Sequence, residues 1–193
     1  MPSMRSTLLH ELFRKMGYNA GLISTIRNLV NDEPVQSTHT TPDAVGLNTL
    51  LSGMVKAGCT HCFMEVSSHA IAQQRIEGLK FRGGIFTNIT HDHLDYHGNF
   101  RDYLRTKKSF FDRLPDSAFA LINNDDRNGE IMVQNTSAEI QTYSLRSSSD
   151  YKCRILETHM DGMLLKIDGR EFWTSLIGEF NAYNLLAVYG AAI

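Results

Sequence analysis

Apolar residues recur at helical spacing over 5–16, where Leu8, Leu9, Leu12, Phe13 and Met16 form one stripe and Gly17 supplies a stop. A strand is expected from Ala20 to Thr25. Thr41-Pro42 reads as an N-cap followed by proline at the first helical position, opening a helix that runs to about Lys56 and ends at Gly58. Short apolar runs at 61–66 and 84–88 read as strands whose last residues include Glu65 and Asn88. A strongly amphipathic helix is predicted over 100–113. Ala118 to Ile122 reads as a strand, Asn123 to Asp126 as a turn, 127–135 as a shorter helix and 140–144 as a further strand. Strand and helix alternating in this way predict an α/β fold, a mostly parallel sheet flanked by helices on both faces. After Asp150 the rhythm changes. Asp161-Gly162 and Asp168-Gly169 are hairpin signals between short alternating runs, so 151–176 reads as a small antiparallel appendage. Helical spacing returns over 180–193 and stops mid-pattern on Ala-Ala-Ile.

A chain of 193 residues is long enough for one domain with its own core. The formal net charge of −2 provides no global basic field, so no nucleic-acid partner is expected. No apolar run approaches the roughly 20 residues of a membrane helix. The N-terminus has no secretory signal pattern. No membrane insertion is expected, and the cytoplasm is the expected compartment. Cys59, Cys62 and Cys153 are an odd, scattered set. Cys62 begins an expected buried strand, and the three read as reduced thiols.

Chemistry concentrates at two strand ends. Glu65 is followed by Ser67, Ser68 and His69; a carboxylate and an imidazole there suit a hard divalent cation, while a capping or ion-pair role accounts for them equally. The run His91-Asp92-His93-Leu94-Asp95-Tyr96-His97 is dense in ligand-type residues. It superficially resembles the zinc motif of metal-dependent hydrolases, one residue too long, and that is the competing reading. Lys107 falls within the stripe formed by Phe100, Tyr103, Leu104, Phe110, Phe111 and Leu114. A buried lysine amine tends to be neutral and can react with carbon dioxide to give a metal-binding carbamate; alternatively the side chain snorkels to solvent. Gln73 and Arg75 suit a carboxylate or phosphate, or a solvated loop. Thr40 and Thr41 could touch an anion at a helix N-terminus. A phosphate-cradling loop of the Gly-Lys-Ser/Thr type is excluded, because the sequence contains no Gly-Lys pair.

Taken in order, several segments resemble the central domain of the Mur ligase family. They are His39-Thr-Thr-Pro42, Met64-Glu-Val-Ser-Ser-His-Ala70, Gln73-x-Arg75, Phe86-Thr-Asn88, Asp92-His-Leu-Asp-Tyr-His-Gly98 and Gly178-x-Phe-Asn-x-x-Asn184. The match is best to the branch that adds the third amino acid of the peptidoglycan stem peptide. The resemblance implies an ATP-dependent ligase that activates UDP-MurNAc-L-Ala-D-Glu as an acyl phosphate and joins it to an incoming amino acid. It implies magnesium held by Glu65, His93 and a carbamylated Lys107. It implies contacts to the UDP-MurNAc-dipeptide from Thr40, Thr41, Ser67, Gln73 and Arg75, and adenine bordered by Asn181 and Asn184. Against that pattern the first strand and its phosphate loop are replaced by Met1-Pro-Ser-Met4. Residues 1–193 therefore read as a central domain cut at both ends, without the N-terminal UDP-binding and C-terminal amino-acid-binding domains. Such a fragment is expected to be monomeric and inactive by itself, or to persist as a muropeptide-binding remnant.

Overall fold

A computed structural model describes residues 4–35, 42–90 and 94–193. The elements in chain order are α1 (Met4–Lys15), β1 (Ala20–Ile23), β2 (Asn28–Val30), β3 (Glu33–Val35), α2 (Ala44–Lys56), β4 (His61–Met64), α3 (Ser68–Ala72), β5 (Gly83–Phe86), α4 (Leu94–His97), α5 (Phe100–Asp112), β6 (Phe119–Asn123), α6 (Gly129–Met132), β7 (Glu139–Ser144), β8 (Tyr151–His159), β9 (Gly162–Ile167), β10 (Arg170–Thr174) and α7 (Glu179–Ala192). The chain divides into two compact units, up to Leu79 and from Lys80 onward.

The first unit holds a four-stranded sheet in the order β3-β2-β1-β4. β1 and β4 are parallel with Ile23 opposite Met64, whereas β2 and β3 run antiparallel. All four residues of β1 are buried, and α1 packs on β1 and β4 through Leu9. Buried with it is His10, whose Nε2 lies 3.2 Å from the Ala20 carbonyl and 2.9 Å from that of Asn31. The predicted stripe is shortened at its end: Met16 follows the helix and is exposed. The β2–β3 hairpin has no counterpart in the sequence-based prediction. Three-residue strands are too short to display alternation. The predicted Thr41-Pro42 start of the second helix is also corrected. Thr41 lies outside the described residues, and the N-cap is Asp43, whose Oδ1 accepts from the Gly46 N–H at 2.7 Å. An aspartate fills this role as well as a threonine does, and it is two residues nearer the helix. Cys62 is exposed rather than buried, on an edge strand of this sheet, while Cys59 is partly buried and Cys153 fully so; all three are free thiols.

The second unit holds a six-stranded sheet in the order β10-β9-β8-β7-β6-β5. β5 to β8 are parallel; β8, β9 and β10 are antiparallel. The expected appendage is thus an extension of the parallel sheet, joined where Tyr143 and Ser144 of β7 pair with Tyr151 and Lys152 of β8. Alternation along β6 explains the layers. Ala120 and Ile122 point to a cluster containing Tyr103 and Phe111 of α5 and Met132 of α6. Leu121 points the other way, against Ala182, Leu186 and Ala187 of α7. Full burial of a leucine such as Leu121 contributes about 1.5–3 kcal/mol, and helices on both faces supply that burial.

Candidate functional site

In the first unit the expected site residues follow β4 closely. The Glu65 N–H donates to the Ile23 carbonyl at 2.8 Å and continues the β1–β4 ladder by one residue. Its carboxylate is half-buried, and Oε2 accepts from the Thr25 N–H at 3.1 Å and the Thr25 hydroxyl at 2.6 Å. Ser67 caps α3, its hydroxyl accepting from the Ala70 N–H at 3.1 Å. Gln73 closes the same helix, and its Oε1 accepts from Arg75 Nε at 2.9 Å and Nη2 at 2.5 Å. One short strand and one five-residue helix therefore gather a carboxylate, a hydroxyl and an oriented guanidinium into eleven residues, 65–75. Glu65 offers hard oxygen donors, the chemistry that magnesium prefers.

In the second unit the end of β5 and the segment after it are pinned at three points. The Tyr143 hydroxyl donates to the Phe86 carbonyl at 3.2 Å, Asn123 Nδ2 donates to the Thr87 carbonyl at 2.9 Å, and the Ile89 N–H donates to Asp126 Oδ2 at 3.3 Å. His91, Asp92 and His93 lie outside the described residues. The chain is described again from α4, where the His97 ring centroid is 5.2 Å from that of Tyr103. Lys107 Nζ lies 5.4 Å from the centroid of the same Tyr103 ring, a cation–π distance. Tyr103 is buried and Lys107 half-buried. The helix is amphipathic as predicted, with the lysine stem on the apolar stripe and its ammonium against an aromatic face. Lys108 points elsewhere and pairs with Asp112 at 2.5 Å.

Asn181 and Asn184 lie in the first turns of α7 and are buried. Asn181 Nδ2 donates to the Ile177 carbonyl at 2.8 Å, and Asn184 Nδ2 to Asn181 Oδ1 at 3.3 Å. Between them Tyr183 donates to Asp125 Oδ2 at 2.8 Å. The same carboxylate accepts from the backbone N–H groups of Leu145 at 2.7 Å, Arg146 at 3.0 Å and Ser147 at 2.8 Å. Burial alone would raise the Asp125 carboxyl, but hydrogen bonds from Ser147, Tyr183 and Leu145 outweigh it and hold the group at about 2. Burial, followed by the Asp125 carboxylate, pushes the Tyr183 hydroxyl up. Asp125 thereby ties the end of β6 to the loop after β7 and to the start of α7.

Of the expected residues, Glu65, Ser67, Gln73 and Arg75 are brought together in one unit, and Lys107, Asn181 and Asn184 lie in the other. Thr40, Thr41 and His93 fall outside the described residues. Among the described residues no group of three or more histidine, cysteine and acidic side chains is placed to hold a metal. Thr25, Asn123, Asp125, Asp126 and Tyr143 were not singled out from sequence. The run from Asn123 to Asp126 did carry a signal, since polar acceptors at a strand end can bind neighbouring backbone as well as turn the chain.

The family described as the Mur ligase middle domain matches residues 5–192. A "UDP-N-acetylmuramoyl-L-alanyl-D-glutamate--2,6-diaminopimelate ligase" from Cytophaga hutchinsonii is 60% identical over 187 residues, covering 97% of this chain and 38% of the relative. The protein of that name from Bacteroides thetaiotaomicron is 56% identical over 188 residues, covering 97% of this chain and 39% of its own length. A solved structure of a ligase with the same name superposes with a TM-score of 0.88 at 29% identity, over 98% of this chain and 40% of that one. The chain thus spans about two fifths of the length of the curated relatives it matches. These matches support the ligase-family reading of the chain and leave the metal-dependent hydrolase alternative unsupported.

Proposed function

The chain belongs to the Mur ligase family, and from that premise we propose that it is the central domain of an ATP-dependent ligase joining 2,6-diaminopimelate to UDP-N-acetylmuramoyl-L-alanyl-D-glutamate in the cytoplasm. The observation that carries this reading is the family match over nearly the whole chain at 60% identity to a ligase of that name. In the proposed reaction ATP phosphorylates a carboxylate of the D-glutamate residue, releasing ADP. The incoming amine then attacks the acyl phosphate, forming the amide and releasing phosphate.

Glu65, His93 and Lys107 as its carbamate are the proposed magnesium ligands. A magnesium ion held there would supply electrostatic stabilisation of the phosphate charge. Carbamylation exchanges the Lys107 ammonium for an anion and forgoes its contact with Tyr103, worth about 0.5–1 kcal/mol at such a site. Thr40, Thr41, Ser67, Gln73 and Arg75 are assigned to the UDP-MurNAc-dipeptide. The Gln73–Arg75 pair supports this, because an oriented planar guanidinium matches a carboxylate or phosphate. Asn181 and Asn184 are assigned to the adenine border, where their buried amides shape the start of α7.

The 193 residues contain no Gly-Lys pair, so they bring no phosphate-loop lysine to ATP. Incubating the chain with UDP-MurNAc-L-Ala-D-Glu, 2,6-diaminopimelate and Mg-ATP is therefore expected to release no phosphate. Calorimetric titration with UDP-MurNAc-L-Ala-D-Glu alone should show binding, weakened about tenfold or more in Arg75→Ala. Turnover would refute the inactivity of these residues alone. Equal binding by the Arg75 variant would refute its assignment to the anionic substrate.

A further inference from the structure

Thr25 stands just past the end of β1 and belongs to none of the motifs that carry the family resemblance. It nevertheless makes two bonds to one atom: its N–H and its hydroxyl, at 3.1 and 2.6 Å, both meet Glu65 Oε2. Among the described residues no hydrogen bond to Oε1 is formed. The carboxylate is thus held by one oxygen, with the lone pairs of the other available.

The segment that carries Thr25 is itself locked. Ser24 Oγ donates to the Arg27 carbonyl at 2.8 Å and accepts from the Arg27 N–H at 3.3 Å, while the Ser24 N–H donates to Asn28 Oδ1 at 3.3 Å. Ser24 and Asn28 are buried. On the opposite side the Glu65 backbone is fixed to Ile23 by the last ladder bond. Both ends of the Thr25–Glu65 contact therefore rest on backbone, and the carboxylate has little rotational freedom left. Thr25 is exposed, so burial in a core gives no reason for this geometry.

We infer that Thr25 is a positioning residue: by bonding Glu65 Oε2 through its N–H and its hydroxyl, it fixes the carboxylate and leaves Oε1 to bind a divalent cation. The inference rests on the assignment of Glu65 as a metal ligand. A ligating carboxylate gains affinity when its second oxygen is hydrogen-bonded, because the free side chain would otherwise lose rotamer entropy on binding. In the variants the backbone N–H remains, so removing the hydroxyl weakens the site without abolishing it.

The test is Mn2+ binding to the full 193-residue chain, read from the electron paramagnetic resonance signal of free Mn2+, with no turnover required. Thr25→Val and Thr25→Ala are expected to weaken Mn2+ binding about tenfold, Thr25→Ser to stay within about twofold of the parent chain, and Glu65→Gln to lose the site. Melting temperatures of the Thr25 variants should match the parent, since the residue is exposed. Unchanged or tighter binding in Thr25→Val and Thr25→Ala, with the site still lost in Glu65→Gln, overturns the role of Thr25 alone. Equal Mn2+ binding by the parent and Glu65→Gln, or none by the parent, overturns the Glu65 assignment and the Thr25 inference with it. Failure of Thr25→Ser to restore binding also sinks the inference, because the hydroxyl is then not the relevant group.

Discussion

At the scale of single residues, chemistry and architecture meet most clearly at Asp125. Its carboxylate takes three backbone N–H groups and the Tyr183 hydroxyl, four donors from two separate segments. Asp125→Ala leaves those donors without their charged acceptor and is expected to destabilise the chain by about 2–3 kcal/mol, measured by urea unfolding. The pH dependence has a definite sign. A carboxyl held lower in the folded chain than in the unfolded one binds fewer protons when folded. Its stabilisation is complete above the unfolded value near 3.8 and disappears as pH falls through about 2. The stability gap between parent and variant should therefore be flat above about pH 5 and close progressively below it. A gap that stayed constant down to pH 2 would show that volume, not charge, is responsible. Lys107 shows the reach of sequence reading at the same scale. Its place on an apolar stripe was legible from spacing. Its contact was not, because either burial or snorkelling satisfies that spacing, and only the position of the Tyr103 ring decides between them.

Elements were legible in proportion to their length. α5 and α7 span thirteen and fourteen residues and match the predicted helices closely, since several turns of periodicity must agree. The β2–β3 hairpin was missed, although Asn31, at φ 56°, and Asp32 form its turn and Pro34 sits on an edge strand as proline must. The two predicted Asp-Gly turns have different outcomes. Asp168 and Gly169 occupy a two-residue turn with φ of 46° and 82°, the left-handed pair that favours this sequence. In the other hairpin His159 pairs with Gly162, so the turn is Met160-Asp161 and Gly162 is already in β9. Its lack of a side chain has another cause: a Cβ there would lie 2.2 Å from the Thr174 carbonyl oxygen of β10. Gly162→Ala is thus expected to force a backbone shift and lower stability by about 1–3 kcal/mol in thermal unfolding. No change in melting temperature would mean that the hairpin yields freely at this point.

For the whole molecule, the two units set a testable expectation about cooperativity. Asp125 and Gly162 both lie in the unit from Lys80 onward. Hydrogen exchange in Asp125→Ala is expected to quicken in β6, β7 and α7, while Leu22 and Ile23 of β1 keep parent-like protection. Equal loss of protection in both units would show that they unfold as one. The order of motifs along the chain was enough, by itself, to point to the family, and the alternation of apolar runs was enough for the α/β class, a mostly parallel sheet and antiparallel hairpins after Asp150. The fold class follows from local periodicity and the family from the identity and order of the motifs, both of which a linear string records directly. Partnerships across the chain were decided only by tertiary structure: Thr25 with Glu65, Asp126 with Ile89, Asp125 with Tyr183. Such pairs join positions 37 to 58 residues apart, and their hydrogen bonds depend on strand order and register, which no local window of sequence contains.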